Sequence, residues 1–103
     1  MRDVLEVLAE PKRRQILDLL RASEMSVGAI VEELRQSQPL VSKHLRVLRD
    51  AGLVEAHVDG PRRLYRLEVE PLRELDAWLE PYRQMWRASL ARLEAKLTEG
   101  SKE

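Results

Sequence analysis

Cysteine is absent from this 103-residue chain, which excludes disulfides, thiolate metal sites and thiol redox chemistry. Phenylalanine is missing as well, and of the aromatic residues Tyr65, Trp78, Tyr82 and Trp86 all but the first fall near the C-terminal end. No apolar run is long enough to span a bilayer and no signal-peptide pattern opens the chain. A soluble, cytoplasmic protein with no membrane partner is therefore expected. Neither sign of charge is in excess, since 18 Lys and Arg balance 18 Asp and Glu. The histidines are only His44 and His57, too few imidazoles to build a tetrahedral zinc or cadmium cluster without thiolates. There is no glycine-rich phosphate loop, and no serine sits beside a histidine and an acid in a catalytic motif; Ser42 and His44, two apart on one helix, point in different directions. That inventory excludes an enzyme, and no cofactor is implied.

What is present is unevenly spread. Between Arg35 and Arg66 seven basic residues (Arg35, Lys43, Arg46, Arg49, Arg62, Arg63, Arg66) face three acidic ones (Asp50, Glu55, Asp59), a net +4 in a neutral chain. Charge segregation of this kind lets a neutral protein present a basic face. Inside that region, Ser37–Val54 reads as a two-faced helix. Val41, Leu45 and Leu48 form an apolar stripe, whereas Gln38, Ser42, Arg46 and Arg49, with Lys43 beside them, form a donor-rich stripe without an acid. Ser37 suits the N-cap, Pro39 the first turn, and Gly52 the stop. A short helix so built fits a DNA major groove.

The flanking segments follow in order. Val4, Leu5 and Leu8 suggest a weak amphipathic helix over Met1–Ala9, and Pro11 starts a second with Ile16, Leu17, Leu19 and Leu20 on its apolar face. Lys12, Arg13 and Arg14 stand in its first turn, unfavourable for cations by the helix dipole, and read as solvated. Ser26 caps a third helix that buries Val27, Ile30, Val31 and Leu34. The few residues between it and the Ser37 stretch make a helix-turn-helix. Val54, Ala56 and Val58 then alternate with Glu55 and His57, Asp59-Gly60 signals a turn, and Arg63, Tyr65 and Leu67 alternate on the return strand. A hairpin in that place is a wing, its tip Gly60–Arg63 placed to touch phosphates or a minor groove. From Pro71 the residues Leu72, Leu75, Leu79, Tyr82, Trp86, Leu90, Leu93 and Leu97 form a seam of roughly coiled-coil width, widened by Trp78 and Met85. Pro81 lies inside it and should kink or break the helix. The seam is longer than a three-helix core of this size can cover, so part of it is expected at a dimer interface; a ligand pocket lined by Trp78, Tyr82 and Trp86 is the competing use. The fold class expected is mainly α with a small β-hairpin, a dimeric winged helix-turn-helix in the order α-α-α-α-β-β-α. It would form one domain over residues 1–98 with a frayed tail over 99–103.

The run Ser-Val-Gly-Ala-Ile-Val-Glu-Glu-Leu from Ser26, the run from Ser37 to Val54, and the Arg-Arg-Leu-Tyr-Arg-Leu strand from Arg62 closely resemble the ArsR/SmtB family of bacterial winged-helix repressors. Glu-Pro-Lys-Arg-Arg-Gln-Ile-Leu, from Glu10, resembles that family's second-helix opening. The resemblance covers nearly the whole chain. It implies a homodimer paired through the first and last helices, which places Val4, Leu5, Leu8, Leu75, Leu79, Tyr82, Trp86, Leu90 and Leu93 at the interface. It implies a recognition helix on duplex operator DNA, with Gln38, Pro39, Ser42 and Lys43 as base-edge or backbone contacts, Val27 within reach, and Arg62 and Arg63 at the wing tip; Arg46 joins them from the donor stripe. Where many members carry a Cys-Val-Cys-type metal pair this chain reads Ser26-Val27-Gly28, and the last helix has no histidine. His44 then reads as a boundary residue hydrogen-bonded near the groove. The expected function is a metal-independent, sequence-specific dimeric repressor with no known effector. The alternatives are a repressor that senses a small molecule through the aromatic last helix, and a winged-helix protein-interaction module that does not read DNA.

Overall fold

Every helix before the wing begins on a side-chain cap, and the caps account for where the elements fall. In the computed structural model, which describes residues 3–100, the Asp3 carboxylate accepts from the Leu5 amide to open α1 (Val4–Leu8). Glu10 does the same for Lys12 at α2 (Pro11–Ala22), with Pro11 in the first turn, where a missing N–H costs nothing. Ser26 Oγ accepts from Ala29 N (3.2 Å) at α3 (Val27–Leu34), and Ser37 Oγ accepts from Leu40 N (3.3 Å) at α4 (Gln38–Asp50). These bonds satisfy amides that have no partner inside the helix.

The helix ends are equally specific. α4 closes in a Schellman motif: Leu53 N donates to Leu48 O and Gly52 N to Arg49 O, both at 2.9 Å, with Gly52 at φ 75°. Leu48 and Leu53, the apolar pair such a motif brings together, are both fully buried. α3 ends on Arg35 in the left-handed conformation (φ 54°, ψ 44°), the one non-glycine residue with positive φ among those described. The chain turns there into α4.

Three antiparallel strands follow the order β1-β3-β2, with β1 Met25–Ser26, β2 Val54–Asp59 and β3 Arg62–Leu67. The expected hairpin is present, but Met25 and Ser26 add a third strand by pairing with Tyr65 and Leu64. Two residues are too few to show a period, and they pair because the extended approach to the Ser26 cap runs along the open edge of β3. The turn lies one residue later than expected, at Gly60-Pro61, with Asp59 paired to Arg62. Gly60 takes a positive φ of 61°, and Pro61, lacking an N–H, suits a loop position outside the ladder.

The described residues form two compact units, 3–73 and 74–100. In the first unit the core joins Ile16, Leu17 and Leu20 of α2, Ile30 of α3, Val41, Leu45 and Leu48 of α4, and Leu53, Val54 and Tyr65. α1 contributes Val4 and Val7 rather than the Val4, Leu5 and Leu8 face: Leu5 is exposed and Leu8 half-buried.

The second unit is the greater part of α5 (Glu70–Gly100), helical through Pro81 without interruption. Of the kink or break expected at Pro81, the break does not occur, and Arg83 supplies a reason. Its guanidinium donates to the Asp76 carboxylate, to the Asp76 carbonyl (3.0 Å) and to the Glu80 carboxylate, strapping the turn before Pro81 to the turn after it. Those bonds hold both carboxyls below their usual range. Residues 99 and 100, expected in the frayed tail, are helical; the rest of that tail lies outside the described residues. Among the described residues no helix is long and apolar enough to cross a membrane.

Candidate nucleic-acid interface

α4 divides its side chains as its sequence period requires. Val41, Leu45 and Leu48 are buried, while Gln38, Pro39, Ser42, Lys43, Arg46 and Arg49 are exposed. Val27, at the first position of α3, is half-buried, and Arg62 and Arg63 are exposed at the start of β3.

The sheet brings part of this set together. Ser42, Leu45, Arg46, Arg49 and Asp50 of α4 and Arg63 and Tyr65 of β3 line one hollow of about 560 Å³. Gln38, Pro39, Lys43, Val27 and Arg62 do not line it. Arg49 stands on the donor stripe but was not among the expected contacts; its place three residues after Arg46 was the available signal. Tyr65 carried no such signal, because only the strand register turns it toward α4.

Ion pairing separates cations that look alike in sequence. Arg66 donates to Glu55 (3.0 Å) and Glu68 (3.2 Å), which lowers the Glu55 carboxyl below its usual range. Arg62 pairs with Asp59 at 3.4 Å. Among the described residues Lys43, Arg46, Arg49 and Arg63 have no ion pair. The Arg63 guanidinium instead lies 5.8 Å from the centroid of the Tyr65 ring, within cation–π range.

Two expectations about polar residues are corrected. His44 is not at the groove edge: it is buried on the core side of α4, 8 % exposed, and its Nδ1 accepts from Arg13 Nε at 3.4 Å. Burial, then the Arg13 charge, holds its imidazole below the ordinary value of 6.5. Arg13 and Arg14 are not simply solvated. Arg13 Nη1 donates to Val7 O (3.2 Å), and Arg14 Nη1 donates to Leu8 O (2.6 Å) and Ala9 O (3.2 Å). Both therefore cap the C-terminal carbonyls of α1, where cations are favoured by the dipole. His57, on β2, pairs with Glu24 at 2.9 Å.

The residues expected at a dimer interface sit as follows. Val4 is buried in its own unit's core, and Leu8 is half-buried; Leu75 and Leu79 are half-buried, while Leu5, Tyr82, Trp86, Leu90 and Leu93 are exposed. Trp78 and Tyr82 lie 4.9 Å apart between ring centroids, and both are exposed, as is Trp86.

A tight α3–α4 pair followed by a sheet whose hairpin flanks the second helix defines a winged helix-turn-helix protein. Residues 10–56 match the family model described as bacterial regulatory protein, arsR family. The transcriptional repressor SdpR of Bacillus subtilis is 34 % identical over 79 residues, spanning 77 % of this chain and 88 % of SdpR. The crystal structure of a possible transcriptional regulator for arsenical resistance is 40 % identical, covers 93 % of this chain and 97 % of its own, and superposes with a TM-score of 0.71. The homodimeric winged helix-turn-helix DNA-binding domain of Mb0332 from Mycobacterium bovis is 35 % identical, with coverages of 80 % and 76 % and a TM-score of 0.65. This chain belongs to the ArsR family of bacterial regulatory proteins, whose members are transcriptional regulators and not enzymes.

Proposed function

We propose that this protein is a sequence-specific transcriptional repressor that binds operator DNA as a homodimer in the cytoplasm, and that its release does not depend on a metal. One observation carries the reading: the outer face of α4, from Gln38 through Ser42 and Lys43 to Arg46, is exposed, rich in donors, and free of acids and ion pairs. A 13-residue helix is about 20 Å long and fits a major groove about 12 Å wide. Gln38 suits adenine, Ser42 and Lys43 are less selective, and Pro39 and Val27 approach the backbone beside them. Arg62 and Arg63 reach phosphates from the wing.

The partner copy is supported by the exposed α5 seam of Tyr82, Trp86, Leu90 and Leu93, with Leu5 on α1. Covering such side chains is worth about 1.5–3 kcal/mol each when complete. A twofold axis would place the two recognition helices about 34–36 Å apart, one turn of DNA, and a dimer so seated blocks polymerase sterically. Metal independence is supported by the absence of cysteine and by the engagement of both histidines, His44 with Arg13 and His57 with Glu24.

Fluorescence anisotropy on the DNA upstream of its own gene and on a scrambled duplex, across a salt series and with added zinc or chelator, tests this. Selective binding that metal leaves unchanged is the expected result. Gln38→Ala should cost about 1–3 kcal/mol on the operator and relax preference at one base pair. Equal, weak binding to both duplexes would refute the reading.

A further inference from the structure

We propose that the hollow between α4 and β3 is a phosphate seat, in which Arg46, Arg49 and Arg63 hold one backbone phosphate of duplex DNA and the Tyr65 ring positions Arg63. This inference rests on the DNA-binding reading above and assigns that site an anchor set. Arg46 and Arg49 stand three residues apart on one helix face and border the hollow from α4; Arg63 borders it from β3. Three guanidinium groups and a single carboxylate, Asp50, border the hollow, and the net +2 attracts a further anion. The acids of the adjoining hollow are occupied. Arg49 also borders a hollow containing Glu55, Glu68 and Glu70, yet Arg66 holds Glu55 and Glu68, and Arg73 pairs with Glu70. Arg49 is thereby left with its donors free, and Arg62, tied to Asp59, stands outside the set. The guanidinium fork matches phosphate oxygens two at a time, which a solvated point charge does not. The Tyr65 ring, buried beneath Arg63, fixes where that fork sits without taking up its donors.

Arg49→Ala is exposed and tests the seat without disturbing the core. The slope of log affinity against log salt should fall by about 1, on operator and scrambled duplex alike. Arg66→Ala, which frees Glu55 and Glu68 beside Arg49, should lower the slope as well. In a duplex carrying one uncharged methylphosphonate at successive positions, one position should weaken the wild type strongly and Arg49→Ala, which keeps only Arg46 and Arg63 on that phosphate, less. Arg63→Ala should have no further effect on binding in a Tyr65→Leu background, whereas Tyr65→Phe, which keeps the ring, should bind as the wild type does. A wild-type protein that binds its operator selectively, with Arg49→Ala giving the same slope, overturns the seat and leaves the repressor reading standing. Wild-type protein that binds neither duplex overturns both. Inorganic phosphate at constant ionic strength that raises the melting temperature of wild type but not of Arg49→Ala, with duplex slopes equal, overturns the DNA backbone as occupant in favour of a free anion.

Discussion

Arg35 occupies the turn of the helix-turn-helix at φ 54°, ψ 44°, a conformation that glycine adopts freely and other L-residues resist. The left-handed well costs a side-chain-bearing residue roughly 1–2 kcal/mol. Its guanidinium has no hydrogen bond or ion pair among the described residues and is exposed, so Arg35→Gly removes no folded-state contact of that kind. Glycine gives back part of the gain, about 0.4–1 kcal/mol, through the greater freedom of the unfolded chain. The balance is a stabilisation of about 0.5–1 kcal/mol, or a rise of roughly 2–8 °C in melting temperature for a domain of about this size. Arg35→Val, β-branched, should move the other way by a similar amount or more. Urea titrations and thermal scans of the three proteins at one fixed concentration measure this, the concentration being held because self-association shifts apparent stability. A glycine variant no more stable than wild type, with the valine variant unchanged, would refute the claim that strain is stored in the turn.

Three other outcomes follow from the same structure. Because His44 titrates lower in the folded protein than its ordinary 6.5, the unfolded chain binds the extra proton first. Its contribution is therefore complete above pH 6.5 and lost as the pH falls from there through the folded value, so a His44→Asn variant should show a flatter acid limb in urea midpoints than wild type; parallel limbs would contradict this. Ser37→Ala removes the cap of α4 and should lower stability by about 1 kcal/mol by urea titration. Pro81→Ala restores a backbone donor inside α5 and should raise helical circular dichroism and stabilise that helix by up to about 3 kcal/mol, less if the Arg83 strap already offsets the defect.

What the chain alone determined is what depends on local chemistry and period. The caps at Ser26 and Ser37, the stop at Gly52 and the two faces of α4 were legible, because each is written in residues within a few turns of each other, and the order of such runs along the chain carried the resemblance to the ArsR family. The third strand was not, since two residues carry no period and pair only because β3 passes beside them. The roles of the charged residues were not legible either. Arg13 and Arg14 had the look of solvated cations until the fold set them against the ends of α1, and His44 went to the core because its helix face turned toward Arg13, 31 residues away. Tertiary structure likewise decided which arginines stay free. Arg66 and Arg63 are three apart on one strand, but β2 lays Glu55 beside Arg66, while Arg63 faces the α4 hollow over Tyr65. Sequence specifies where charge is placed along a chain; its neutralisation depends on which acids come within a few ångströms, and for residues far apart in sequence only the fold sets that distance.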